Sequence, residues 1–96
     1  MTGGTDDFSS IKPIEFDLSV NIYPNPIVNQ FTISAKNKIL SIRIHSLTGQ
    51  DIYFYEPKLN KKEIEINSSD IQLEKGIYLI TVETEIGVET MRVMKE

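Results

Sequence analysis

Apolar side chains in this chain recur at every second position rather than at every third and fourth. That spacing places them on one face of an extended strand, where successive side chains alternate between faces. Seven segments carry the pattern: Ser19 to Tyr23, Gln30 to Ala35, Ile39 to His45, Asp51 to Glu56, Glu63 to Asn67, Gly76 to Thr84 and Val88 to Lys95. Ile is the commonest apolar residue, and its branched Cβ favours strands. Phe31, Ile33 and Ala35 share one face of the second segment; Leu40, Ile42 and Ile44 share one face of the third, opposite Ser41, Arg43 and His45. In the fourth, Ile52 and Phe54 stand opposite Tyr53 and Tyr55. The pattern turns Ile64 and Ile66 inward, then Tyr78, Ile80 and Val82, then Met91 and Val93.

Breakers separate these segments. Pro24-Asn25-Pro26 forbids both a helix and a central strand, because the two prolines fix φ and lack an N–H. Gly49 lies in the turn Ser46 to Gln50, where it can supply a positive φ. Pro57 ends the fourth strand, and Glu85-Ile86-Gly87 reads as a tight hairpin turn. Ser68 to Lys75 is a connection that either crosses between sheets or makes one short helical turn. Seven short strands at this spacing predict an all-β domain, a seven-stranded immunoglobulin-like antiparallel β-sandwich occupying residues 19–96. Residues 1–18 read as a linker, with Met1 to Gly4 having the look of added residues and Pro13 arguing against a ladder position.

With 96 residues the chain supplies one core, and a domain this small buries only about 60–65% of its unfolded surface. There is no Cys, which removes disulfides, thiolate catalysis and Cys-based metal sites. The net charge is −4, with Lys and Arg scattered, so the basic stripe that nucleic acids require is missing. No apolar run approaches the roughly 20 residues of a membrane-spanning helix. The first residues lack the basic start and apolar stretch of a signal peptide. The sequence reads as a piece of a longer protein.

Little in it reads as chemistry. His45 is the only His and alternates with Arg43 on the predicted solvent face. Asp6 with Asp7, and Asp70 beside Ser68 and Ser69, lack the Asp-x-Asp spacing of a calcium loop. The serines have no base nearby. No active site, cofactor or metal is expected.

Three features do stand in a fixed order: Ile22-Tyr23-Pro24-Asn25-Pro26, then the strand–Gly49–strand unit from Ile42 to Ile52, then Leu73-Glu74-Lys75-Gly76-Ile77-Tyr78-Leu79-Ile80-Thr81-Val82, followed by Gly87 and a last strand with Arg92 and Lys95. In this order the chain resembles the type A C-terminal sorting domain of the type IX (Por) secretion system, over about Ser19 to Glu96. The acidic Glu96 departs from that family's basic-tinged end. The resemblance implies a non-catalytic export address at the end of a fused cargo. It further implies an outer-membrane translocon, a shuttle protein and a cell-surface sortase as partners, with cleavage somewhere in residues 1–18. It places the product outside a Gram-negative cell, reached through the periplasm and outer membrane, secreted or held at the surface. The residues it marks for recognition are Pro24, Asn25, Pro26, Gly76, Tyr78, Gly87, Arg92 and Lys95. Each also has a plain structural use: the prolines make a rigid corner, Gly76 relieves crowding at the start of its strand, and Tyr78 packs in the core with its hydroxyl at the rim.

A different class of reading is a β-sandwich binding or spacer module of a surface protein, with glycan stacking on Tyr53 and Tyr55. A further expectation concerns the last strand, Val88 to Glu96. Placed at a sheet edge, it could accept a partner strand.

Overall fold

Seven strands form where the alternation places them, in a computed structural model that describes residues 20–96. They are β1 (Asn21–Tyr23), β2 (Gln30–Ser34), β3 (Ile39–Ser46), β4 (Asp51–Tyr55), β5 (Glu63–Asn67), β6 (Gly76–Thr84) and β7 (Gly87–Lys95). The expected linker at residues 1–18 and the start of the first expected strand, Ser19, lie outside the described residues. The strands make two antiparallel sheets, one ordered β1-β2-β5 and the other β4-β3-β6-β7. The connection from Ser68 to Lys75 passes from one sheet to the other through one short helical turn, closed where Gln72, at φ 54, lets Leu73 N donate to Ser68 O at 2.9 Å and Gln72 N donate to Ser69 O at 3.2 Å.

The inward faces meet as the spacing requires. Phe31 and Ile33 of β2 and Ile64 and Ile66 of β5 oppose Ile42 and Ile44 of β3, Ile80 and Val82 of β6, and Val93 of β7. Phe31, Ile33, Ile39, Ile42, Ile44, Ile80 and Val82 are all below 2% exposed, so the core is dense in β-branched side chains. Met91 packs against this core only partly buried.

Leu40 departs from the alternation. The register of β3 against β6 shifts between Ile39 and Ser41. This bulge adds one residue and re-aims the side chains before it. Ile39 goes into the core, and Leu40, expected beside Ile42 and Ile44, is 37% exposed. A second shift between Ile44 and His45, on the β4 side, adjusts the strand ahead of the Gly49 turn. Gly49 there has φ +94, and a Cβ added to it would meet no atom within 4 Å, so it is the backbone angle that selects glycine.

Gly76 requires a similar correction. A Cβ there would meet Tyr78 at 3.9 Å, an ordinary contact, so crowding is not the reason for glycine. Its φ of +152 is, because side-chain-bearing residues rarely adopt that angle. Gly87 has no positive φ and sits inside β7, opposite Thr84. The hairpin turn itself is Glu85-Ile86, held by the buried Thr84 hydroxyl, which accepts from Ile86 N at 3.3 Å and donates to Gly87 O at 3.3 Å.

Candidate functional site

The Pro-Asn-Pro segment crosses from one sheet to the other. After β1 it leaves β2 and lies beside the end of β7. Ile27 N donates to Met94 O at 2.7 Å, and Glu96 N donates to Ile27 O at 2.8 Å, a short parallel bridge centred on Lys95. Asn25 Oδ1 accepts from Met94 N at 3.1 Å, so an amide side chain extends the same edge by one bond. Ile27 carries the crossing into the core, at 0% exposure. On its far side, the buried Ser68 hydroxyl donates to the carbonyls of Val28 at 3.1 Å and Asn29 at 2.7 Å. The corner is thus tied to both sheets.

Seven of the eight marked residues gather at this end. Gly76 pairs with Lys95, and Tyr78 pairs with Val93. Tyr78 is buried, and its hydroxyl donates to Glu74 O at 2.7 Å, the rim position its sequence context suggests. Pro24, Asn25 and Pro26 are exposed beside Arg92, while Lys95 is half-buried. Asn25, Pro26, Ile77, Arg92, Val93 and Met94 line an open hollow of about 360 Å³. Gly87 alone stands apart, at the opposite end of the β6–β7 ladder. Among the described residues the one ion pair is Arg43 to Asp51 at 3.1 Å, on the outer face of the four-stranded sheet, so neither Arg92 nor Lys95 is neutralised by a carboxylate there. The hollow therefore combines an apolar floor with one cationic group, Arg92; Lys95 lies outside it and its ammonium donates to Glu96 O. The hollow has recognition chemistry and no nucleophile or acid–base pair.

Sequence reasoning had no means to find Ile27. It lies outside every alternating segment, directly after two prolines, and only the crossing explains its burial. The fold also puts the last strand at a sheet edge, as expected, but its end is already occupied by the corner. The edge stays open over Val88, Thr90 and Arg92. These share with Met94 the backbone direction that faces away from β6.

The opposite flank is different. Tyr53 and Tyr55 stand across from Ile44 and Ile42, on the inward face of β4, with ring centroids 6.4 Å apart and planes 18° apart. Phe54 lies on the outer face beneath the Arg43 guanidinium at 4.7 Å, whereas Ile52, expected on that face with it, falls at the bulge and packs partly buried against the core. The tyrosines cover the flank of the sandwich and border a cleft of about 400 Å³ against β5. Burial there, with the neighbouring Tyr55 and Asp70, pushes the Tyr53 hydroxyl above the usual phenol range. His45 is half-buried on the outer face beside Leu79. Among the described residues no three His, Asp or Glu side chains converge as a metal site. No helix of the described residues is long and apolar enough to cross a membrane.

Known proteins resemble this arrangement. The family model described as secretion system C-terminal sorting domain matches residues 21–96. The ulvan lyase NLR42 of Nonlabens ulvanivorans is 40% identical over 65 residues, a stretch that is 67% of this chain and 12% of the lyase. A solved structure of PorZ, an essential bacterial surface component of the type-IX secretion system of Porphyromonas gingivalis, aligns with a TM-score of 0.63 at 23% identity. That alignment covers 80% of this chain and 11% of PorZ, and the likeness is one of fold. The chain thus spans about an eighth of the lyase and a little less of PorZ.

Proposed function

The chain belongs to the family of secretion system C-terminal sorting domains, matched over residues 21–96, and we propose that it serves as an export address. Its role is that of a C-terminal secretion signal rather than a catalyst. The match covers essentially the whole described domain, and this is the observation that carries the reading.

The system we assign is type IX, with the type A form of the domain. The cargo lies upstream. An outer-membrane translocon and a shuttle protein take the folded domain from the periplasm, and a surface sortase cuts within residues 1–18. The product is then secreted or held at the cell surface. We also assign the immunoglobulin-like class to the sandwich. In its favour, the chain after the first strand crosses to the other sheet and makes a parallel bridge with the last strand at Ile27. The Tyr78 hydroxyl also binds the backbone four residues upstream, as in the tyrosine corner of such domains.

The recognition surface we propose is the corner end. Pro24, Asn25, Pro26 and Arg92 present it, while Gly76, Tyr78 and Lys95 build it. Gly87 serves the hairpin and is not part of that surface. The test is export of a cargo fusion carrying Arg92→Ala or Pro26→Ala. Arg92 is exposed and its truncation keeps the fold, so export falls for want of the contact; for Pro26→Ala a circular dichroism spectrum and urea midpoint first establish that the corner still folds. Full export by both folded variants would move the recognition surface elsewhere.

A further inference from the structure

The β4–β5 flank is an unfilled strand position. The ladder between β2 and β5 shows which way the backbone of β5 points. Ala35 N donates to Lys62 O at 2.8 Å, and Ser68 N donates to Asn29 O at 2.8 Å, one pair at each end of the ladder and in its register. Hydrogen-bonded and non-hydrogen-bonded pairs alternate in an antiparallel ladder. The bonded pairs between them are therefore Phe31 with Ile66 and Ile33 with Ile64. Glu63 and Glu65 must turn their N–H and C=O groups to the free edge, and Asn67 its N–H, its C=O already accepting from Asp70 N at 3.1 Å. That edge is already used in cis one step further on, where Lys61 O accepts from Ile39 N at 2.8 Å. Across Glu63 and Glu65 no strand among the described residues continues it, and the cleft that opens beside it has Tyr53, Tyr55, Ile64, Ile66 and Ile71 along its length with Lys61 and Asp70 at its margins.

We propose that this edge accepts an extended segment of a partner polypeptide as a fourth, antiparallel strand of the β1-β2-β5 sheet. The lining sets the segment's chemistry. Residues opposite Ile64 and Ile66 point into the cleft, against the tyrosines and Ile71, and must be apolar. Residues opposite Glu63 and Glu65 point outward beside two carboxylates. These already accept from Tyr23 Oη at 3.1 Å and Gln30 Nε2 at 2.8 Å, but no cation among the described residues pairs with them. A cross-strand neighbour lies about 4.5–5.5 Å away at the Cβ, so Lys or Arg is favoured there. The occupant alternates apolar and basic residues, with the basic ones exchanging backbone bonds with β5. This inference does not rest on the export role, and the two fail separately.

The probe is a capped six-residue peptide of alternating valine and lysine, titrated into the 96-residue chain and followed by amide NMR. Binding shifts Glu63, Glu65 and Asn67 and slows their amide exchange. Methylating the lysine backbone nitrogens, which face β5, removes those bonds and weakens binding by roughly tenfold or more. Methylating the valine nitrogens, which face away, leaves it unchanged. Equal binding of the two methylated peptides would reduce the effect to charge attraction and overturn the proposal. So would shifts confined to Val88–Arg92, failure of the parent peptide to bind, or occupation of the cleft by a neutral β-glucan hexasaccharide in its place.

Discussion

Ile27→Ala is the substitution that most sharply tests how the sandwich closes. The side chain is 0% exposed and sits among core residues contributed by both sheets. Its backbone bonds to Met94 and Glu96 survive the change, because alanine keeps both N–H and C=O. What is lost is buried aliphatic volume, which costs about 2–5 kcal/mol at well-packed positions. A value near ~3 kcal/mol is expected, since rigid strands on both sides limit collapse of the cavity. In a domain of this size that lowers Tm by roughly 12–24 °C. Val28→Ala is the control: Val28 is 48% exposed, and its truncation should cost no more than about 0.5 kcal/mol. Urea unfolding followed by circular dichroism gives both numbers, and an unchanged slope against urea shows that only stability moved. If Ile27→Ala costs no more than Val28→Ala, the corner does not enter the core, and the crossing between sheets is wrong.

Other expectations follow from single contacts. Tyr78→Phe removes the bond to Glu74 O while keeping the ring, and should cost about 0.5–1.5 kcal/mol in the same urea assay. Gly76→Ala forces a side chain onto φ +152 and should cost about 1–3 kcal/mol, whereas a pure crowding role would leave it near zero. Tyr53 holds its proton above the usual phenol value of 10.0, so the native state binds that proton more tightly than the unfolded chain. Its contribution to stability is complete below about pH 10 and is lost as pH rises through the higher folded value. An ultraviolet phenol titration should show a late-titrating group that Tyr53→Phe removes.

The strands were legible because each one buries a single face. Ile64 and Ile66, or Ile80 and Val82, can reach a core only at period two, and the breakers between segments are prolines and turn glycines. Leu40 departs because a bulge is a tertiary accommodation: period two from Ile42 puts Leu40 inside, and nothing in the sequence marks the extra residue that puts Ile39 there instead. Ile27 was invisible because it works as a lone bridge residue, and no periodicity marks one. Tyr78 showed the opposite behaviour. An amphipathic ring in an apolar alternation predicts its own pose, body inside and hydroxyl at the rim. Sheet order was beyond reach, since seven similar strands say which face is buried but not which neighbour each strand takes. The gathering of the Pro-Asn-Pro corner, Gly76, Tyr78, Arg92 and Lys95 at one end therefore came from the pairing of β1, β6 and β7. The flank between β4 and β5 emerged in the same way, with Tyr53 and Tyr55 turned inward only because β4 pairs with β3.

Transfer of export to an unrelated cargo separates an export address from a spacer domain. Residues 1–96 are fused behind a fluorescent protein carrying a periplasmic signal, in a host with the type IX system and in the same host lacking its translocon. Fluorescence is expected in the medium or on the cell surface, with the domain removed, only where the translocon is present. A well-folded fusion that stays in the periplasm of both strains would contradict the export role.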